Sequence, residues 1–156
     1  MPERWIGLVV ASDSVVVVDA EVPASGPLVL EADDTWNLQG GDRPRAYHVM
    51  YQRIADYVRE HRIERVVIKE TALNPGGTSK SHLEAAELRG VVIAAAASSA
   101  RTETLARGLV SRTYGSRKVE DYIEDAPFWA SEVAGHRLRK GSREAAMLLL
   151  AARKAR

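Results

Sequence analysis

The chain has 156 residues, 46% hydrophobic and 28% charged, with a formal net charge of +1. That length fits one domain around one core, read as spanning residues 1–156. No cysteine is present, so disulfides, thiolate metal sites and cysteine nucleophiles are excluded. The longest apolar runs, Val91 to Ala97 and Ala145 to Ala152, fall well short of the ~18–20 residues of a membrane span. The N-terminus lacks a basic region leading into an apolar stretch, and a cytoplasmic location is the expectation.

The near-neutral total hides an asymmetry. Residues 1–78 carry 8 Lys/Arg against 12 Asp/Glu, and residues 79–156 carry 14 against 9. A basic half suits contact with phosphates, although a solvated surface of mixed charge gives the same count.

In chain order, Trp5–Ala11 and Val15–Ala20 are β-branched runs separated by Ser12-Asp13-Ser14, a hairpin signal. Pro23 to Gly26 make a second turn, and Leu28-Val29-Leu30 reads as a third strand. Asp42 is placed to cap a helix with Pro44 in its first turn. Tyr47, Met50, Ile54, Tyr57 and Val58 then give one apolar stripe on a helix over about 43–61.

Val66-Val67-Ile68 reads as a strand buried on both faces. Ser81 and Glu84 have capping-box spacing before a helix that runs to about Ala97. Arg101–Leu105 reads as a short strand. Arg107–Arg112 and Val119–Glu124 read as short helices about Gly115. A last helix opens at Gly141-Ser142 and runs Glu144–Arg156, apolar on every side from Ala145 to Ala152 and therefore expected to be buried. No repeat, linker or low-complexity segment is seen.

The resulting order, β-β-β-α-β-α-(β)-α, resembles the RNase H-like fold in the form of RuvC-type resolvases: an α/β mixed sheet with a three-strand antiparallel meander, then parallel strands alternating with helices. Val66-Val67-Ile68-Lys69-Glu70 is similar to that family's fourth strand, which ends in an acid. Leu83 to Ile93 resembles its helix with an Arg-Gly phrase. Tyr114 to Glu120 resembles its Gly/Lys-rich turn, and Glu144-Ala145-Ala146-Met147 sits where those enzymes have Asp-Ala-Ala-Asp. The Val-Ile-Lys-Glu string, the Gly-Gly loop and Leu-Glu-Ala-Ala are also similar to a small uncharacterised bacterial family with the same expected fold.

The resemblance implies phosphodiester chemistry on two divalent ions, Mg²⁺ or Mn²⁺, held by converging carboxylates. The family draws these from the middle of the first strand, the end of the fourth and the first turn of the last helix. Glu70 matches the fourth-strand acid, and a slip of one would put Lys69 there instead; adjacent strand residues face opposite sides, so only one can point at the site. Each carboxylate also has an ordinary reading: Glu70 as an exposed strand-end acid, Glu144 as an acid suited to a helix N-terminus. Glu144 matches the first acid of the last helix, while Met147 occupies the second position.

After Ile6-Gly7-Leu8 the first-strand acid is replaced by Val9. Asp13 and Asp121 are the weaker stand-ins, Asp13 reading otherwise as a turn residue. Arg117, Lys118, Arg139, Lys140, Arg143 and Lys80 are candidate phosphate contacts, with Arg137 on the same basic stripe.

Pro75-Gly76-Gly77-Thr78 lacks the ending of a P-loop and reads as an ordinary loop. The four histidines show no ligand spacing. Phe128-Trp129 reads as a core anchor, with base stacking as the rival. Two functions stay open: a non-catalytic subunit with a degraded metal site that binds nucleic acid, a protein partner or a second copy of itself, or a Mg²⁺-dependent nuclease for structured DNA or RNA–DNA hybrid. No motif supports a small-molecule enzyme.

Overall fold

The computed structural model describes residues 2–73 and 76–155. The strands β1 (Glu3–Val10), β2 (Ser14–Val22), β3 (Leu28–Asn37), β4 (Arg65–Lys69), β5 (Arg101–Leu105) and β6 (Val133–Ala134) form one sheet in the order β5-β4-β1-β2-β3-β6. The β1–β2 and β2–β3 pairs are antiparallel; β4 is parallel to β1, β5 to β4 and β6 to β3. The meander and the buried fourth strand stand as read. The third strand is longer than the apolar triplet, because its second half, Glu31 to Asn37, is carried by ladder bonds to β2 rather than by its own hydrophobicity.

Two helices cover one face. Helix α1 (Arg43–Glu60) is capped by Asp42, whose carboxylate accepts from the backbone of Arg45 at 3.3 Å. Helix α2 (Lys80–Ala97) is capped not by Ser81 but by Ser79, which accepts from the backbone of His82 at 3.1 Å. With them pack Ile6, Leu8, Val15, Val17, Val66 and Ile68.

The opposite face carries α3 (Arg107–Tyr114), α4 (Val119–Ile123), α5 (Ala126–Glu132) and α6 (Arg143–Lys154), the last entered through a 3₁₀ turn at Lys140–Ser142. Every residue of α6 from Ala145 to Ala152 is buried, as its all-round apolar pattern requires. Helix α5 and β6 left no periodic signal of their own. Phe128 and Trp129 serve there as an aromatic anchor against Tyr122, and the Trp129 indole N–H donates to the Tyr122 carbonyl at 2.7 Å.

Two features lock the frame. Gly7 lies directly under α6, where any Cβ would stand 2.3 Å from the Ala145 carbonyl oxygen. Under α1, fully buried Asp19 accepts from Arg4 Nε at 2.8 Å and Nη2 at 2.7 Å and from the Tyr57 hydroxyl. That carboxylate holds the Arg4 guanidinium above its ordinary pKa, while burial first and then the bond to Asp19 raise the Tyr57 phenol.

Candidate functional site at the carboxyl edge of the parallel strands

Strand parity decides what the edge presents. On β1, Trp5 and Val9 pack with α6, whereas Ile6 and Leu8 pack with α1 and α2. On β4, Val67 lies on the α6 side and Val66 and Ile68 on the other. Lys69, two residues beyond Val67, therefore points toward α6. Its Nζ donates to Glu144 Oε1 at 3.2 Å.

Arg107, the first residue of α3, donates from Nε to the other oxygen, Oε2, at 2.8 Å and pairs through Nη1 with Glu120. The Glu144 side chain is 17% exposed, enough screening to place this cluster between a surface pair and a fully buried one. Val9 is half-buried against the α6 core and Met147 fully buried within it.

The other sequence candidates scatter around this point. Glu70 lies one residue past β4 and is exposed; its backbone N–H donates to Leu105 at 2.9 Å. Asp13 sits exposed in the β1–β2 turn, paired at 2.9 Å with Arg43, which also reaches Glu84 at 3.0 Å. Both partners belong to the helical layer opposite α6. Asp121 is exposed on α4. Among the described residues, no three Asp, Glu or His side chains lie close enough to share a metal ion.

Of the cations, Arg117 pairs with Asp125 at 2.9 Å and lies over the Tyr122 ring. Lys140 pairs with Glu124 at 2.8 Å. Arg139 is bound through backbone and guanidinium to Asp33, which also accepts from Ser142. Arg143 Nη1 donates to the Ile123 carbonyl at 2.6 Å. Lys118 and Lys80 are exposed at the starts of α4 and α2, Lys80 on the far layer.

Several participants left no trace in the sequence pattern. Arg107 reaches Glu144 across 37 positions, and Asp33 holds the 3₁₀ turn that delivers α6 to the site. Burial alone would raise the Asp33 pKa, but the bonds from Arg139 and Ser142 outweigh it and hold the carboxyl below its ordinary value. The pairings with Lys140 and Arg117 likewise lower those of Glu124 and Asp125. Buried Arg89, on α2, bridges the strand ends by donating to the Val10 carbonyl at 3.2 Å and to the Thr71 hydroxyl, and burial lowers its pKa. Its neighbour Gly90 belongs to the Arg-Gly phrase, so the signal lay in the phrase rather than in any charge pattern.

No protein-family model and no curated protein sequence matches the chain. Solved structures do. Thermus thermophilus RuvC in complex with a Holliday junction substrate superposes with TM-score 0.73 at 12% identity, covering 97% of this chain and 94% of that one. A second Thermus thermophilus RuvC structure gives 0.73 at 13%, covering 97% and 95%. The yeast mitochondrial Holliday junction resolvase Ydc2 gives 0.65 at 9%, covering 97% and 78%. The chain has the RNase H-like fold in its RuvC-type form. No helix among the described residues is long and apolar enough to cross a membrane.

Proposed function

We propose that this protein is a cytoplasmic, non-catalytic RuvC-like domain that binds nucleic acid, alone or as a partner subunit. The observation that carries this reading is the double ion pair on Glu144. Its one negative charge is met by Lys69 and Arg107 from two other elements. A pair of divalent cations needs several carboxylates turned toward a common point. Here that point holds two side-chain cations, with Val9 and Met147 at the remaining positions. These residues do not fit a two-ion centre. For the rival nuclease reading, Mg²⁺ or Mn²⁺ would have to displace both cations from Glu144 and recruit exposed Glu70.

Nucleic acid is favoured by the fold and by the cationic surplus of the second half of the chain. A protein partner or a second copy belongs to the same proposal, since α2 leaves Leu83, Gly90, Ala94 and Ala97 exposed.

The test incubates the protein with branched, duplex and single-stranded DNA and with RNA–DNA hybrid, each with Mg²⁺ or Mn²⁺, and measures binding in parallel. Binding that weakens steeply as salt rises, without cleavage, is expected. Metal-dependent products that disappear in Glu144→Gln or Glu70→Gln would overturn the non-catalytic reading. Absence of any salt-sensitive binding would overturn the nucleic-acid one.

A further inference from the structure

Between α5 and the segment Val133–Arg143 lies a concavity of about 380 Å³. That is within the ~300–1,000 Å³ range of small-molecule sites. Its wall is apolar, built by Trp129, Val133 and Leu138 with two alanines of α5, and its rim carries His136, Arg137 and Arg143. A second cavity of about 380 Å³ continues from it along Arg137, Leu138, Arg139, Lys140 and Arg143. No acid lines either one.

Charge accounting around the rim shows what is missing. Of the neighbouring acids, Asp33 is matched by Arg139, Glu124 by Lys140 and Asp125 by Arg117, while exposed Glu31 borders Arg137 in a separate groove. Arg137 is exposed and makes no hydrogen bond or ion pair among the described residues. Arg143 has one backbone carbonyl and no carboxylate within ion-pair distance, and its Nε is buried without a partner. Two guanidinium groups therefore line a cavity whose own wall carries no acid, Glu124 and Asp125 acting on Arg143 only from beyond ion-pair distance. The wall beside them is suited to a flat, weakly polar group.

A ligand joining a planar ring to an anion satisfies both halves at once. We infer that this concavity holds one unstacked nucleotide of a nucleic-acid strand, its phosphate on Arg137 and Arg143 and its base against the wall formed by Leu138, Val133 and the edge of Trp129. The inference rests on the nucleic-acid reading above and adds that a single strand or an unpaired position is the preferred form. Arg side chains that fork around phosphate oxygens and apolar or aromatic base contacts are the usual means of such capture.

The experiment uses the whole chain and a fluorescent single strand of about 12 nucleotides, within the ~4–16 nucleotides of single-strand sites, beside a hairpin duplex of the same sequence. Anisotropy gives both affinities in wild type and in Arg137→Ala, an exposed substitution that removes no internal bond. The expected result is a loss of about five- to tenfold on the single strand with duplex affinity within about twofold. The slope of log affinity against log salt should fall by about 0.7 on the single strand. In parallel, the three tryptophan indole resonances are followed by NMR, with Trp129 assigned through Trp129→Phe; the Trp129 signal is expected to move on strand addition.

If wild type binds neither nucleic acid, the broader reading falls and this one with it. If wild type binds but Arg137→Ala matches it on the single strand, only the nucleotide site is overturned. A glutamate-rich peptide containing phenylalanine that shifts the Trp129 signal and outcompetes the strand reassigns the concavity to protein and overturns the nucleotide.

Discussion

Gly7→Ala tests the physical basis of the site most directly, because sequence and structure give it opposite signs. In the middle of a strand, replacing Gly by Ala is expected to stabilise by about 0.5–1 kcal/mol through chain entropy. Here the new Cβ would stand 2.3 Å from the Ala145 carbonyl oxygen and 3.1 Å from its carbon, whereas real Cβ atoms keep at least 3.0 Å. Helix α6 would have to retreat by about 0.7 Å, the difference between those limits.

The obstacle is backbone in a helix buried on all sides, so no rotamer change absorbs it. Overpacking costs about 1–3 kcal/mol, and a rigid obstacle belongs at the upper end. Subtracting the entropic gain leaves a net loss of about 2 kcal/mol, or a fall of about 4–8 °C in Tm for a chain of this size. Urea unfolding followed by tryptophan fluorescence, with a thermal melt by circular dichroism, measures both. Adding Leu149→Ala should not rescue the variant, since the side chain is not the primary clash. A Gly7→Ala protein as stable as wild type or more so would refute the close approach of α6 to β1 and with it the placement of Glu144.

Glu144→Gln removes the charge shared by Lys69 and Arg107 and should destabilise by about 1–3 kcal/mol, read from the urea midpoint. Millimolar Mg²⁺ or Mn²⁺ should leave the melting temperature of the wild type unchanged, because an ion that binds only the folded state would raise it; a rise of several degrees would contradict the occupied-carboxylate argument. Asp19→Ala removes the acceptor shared by part-exposed Arg4 and the Tyr57 hydroxyl and should cost about 1–3 kcal/mol by the same unfolding assay, more than Tyr57→Phe, which removes a single donor.

Asp33 is held below its ordinary pKa of 3.8, so its stabilisation is complete above that value and is lost as pH falls through the lower folded-state pKa. Asp33→Asn should therefore lower stability at neutral pH and flatten the acid limb of a stability–pH curve.

The sequence by itself determined the elements whose physics is local and periodic. The β-branched runs of β1 and β2, the Asp42–Pro44 start and apolar stripe of α1, and the all-round apolar α6 each follow from burial acting at a fixed spacing, and their order was enough to reach the fold. The resemblance to RuvC-type resolvases further implied carboxylates at the positions that Val9 and Met147 occupy. Elements without a period were not read: β6 exists only through its pairing with β3, α5 was passed over although Asp125 caps it with Pro127 in its first turn, and the cap of α2 was displaced from Ser81 to Ser79. Tertiary structure alone decided which face of β4 meets α6, because a one-residue slip exchanges Lys69 for Glu70 and only packing fixes the register. It alone joined Lys69, Arg107 and Glu144 from three distant segments, since charges pair through space at a few ångströms whatever the length of chain between them.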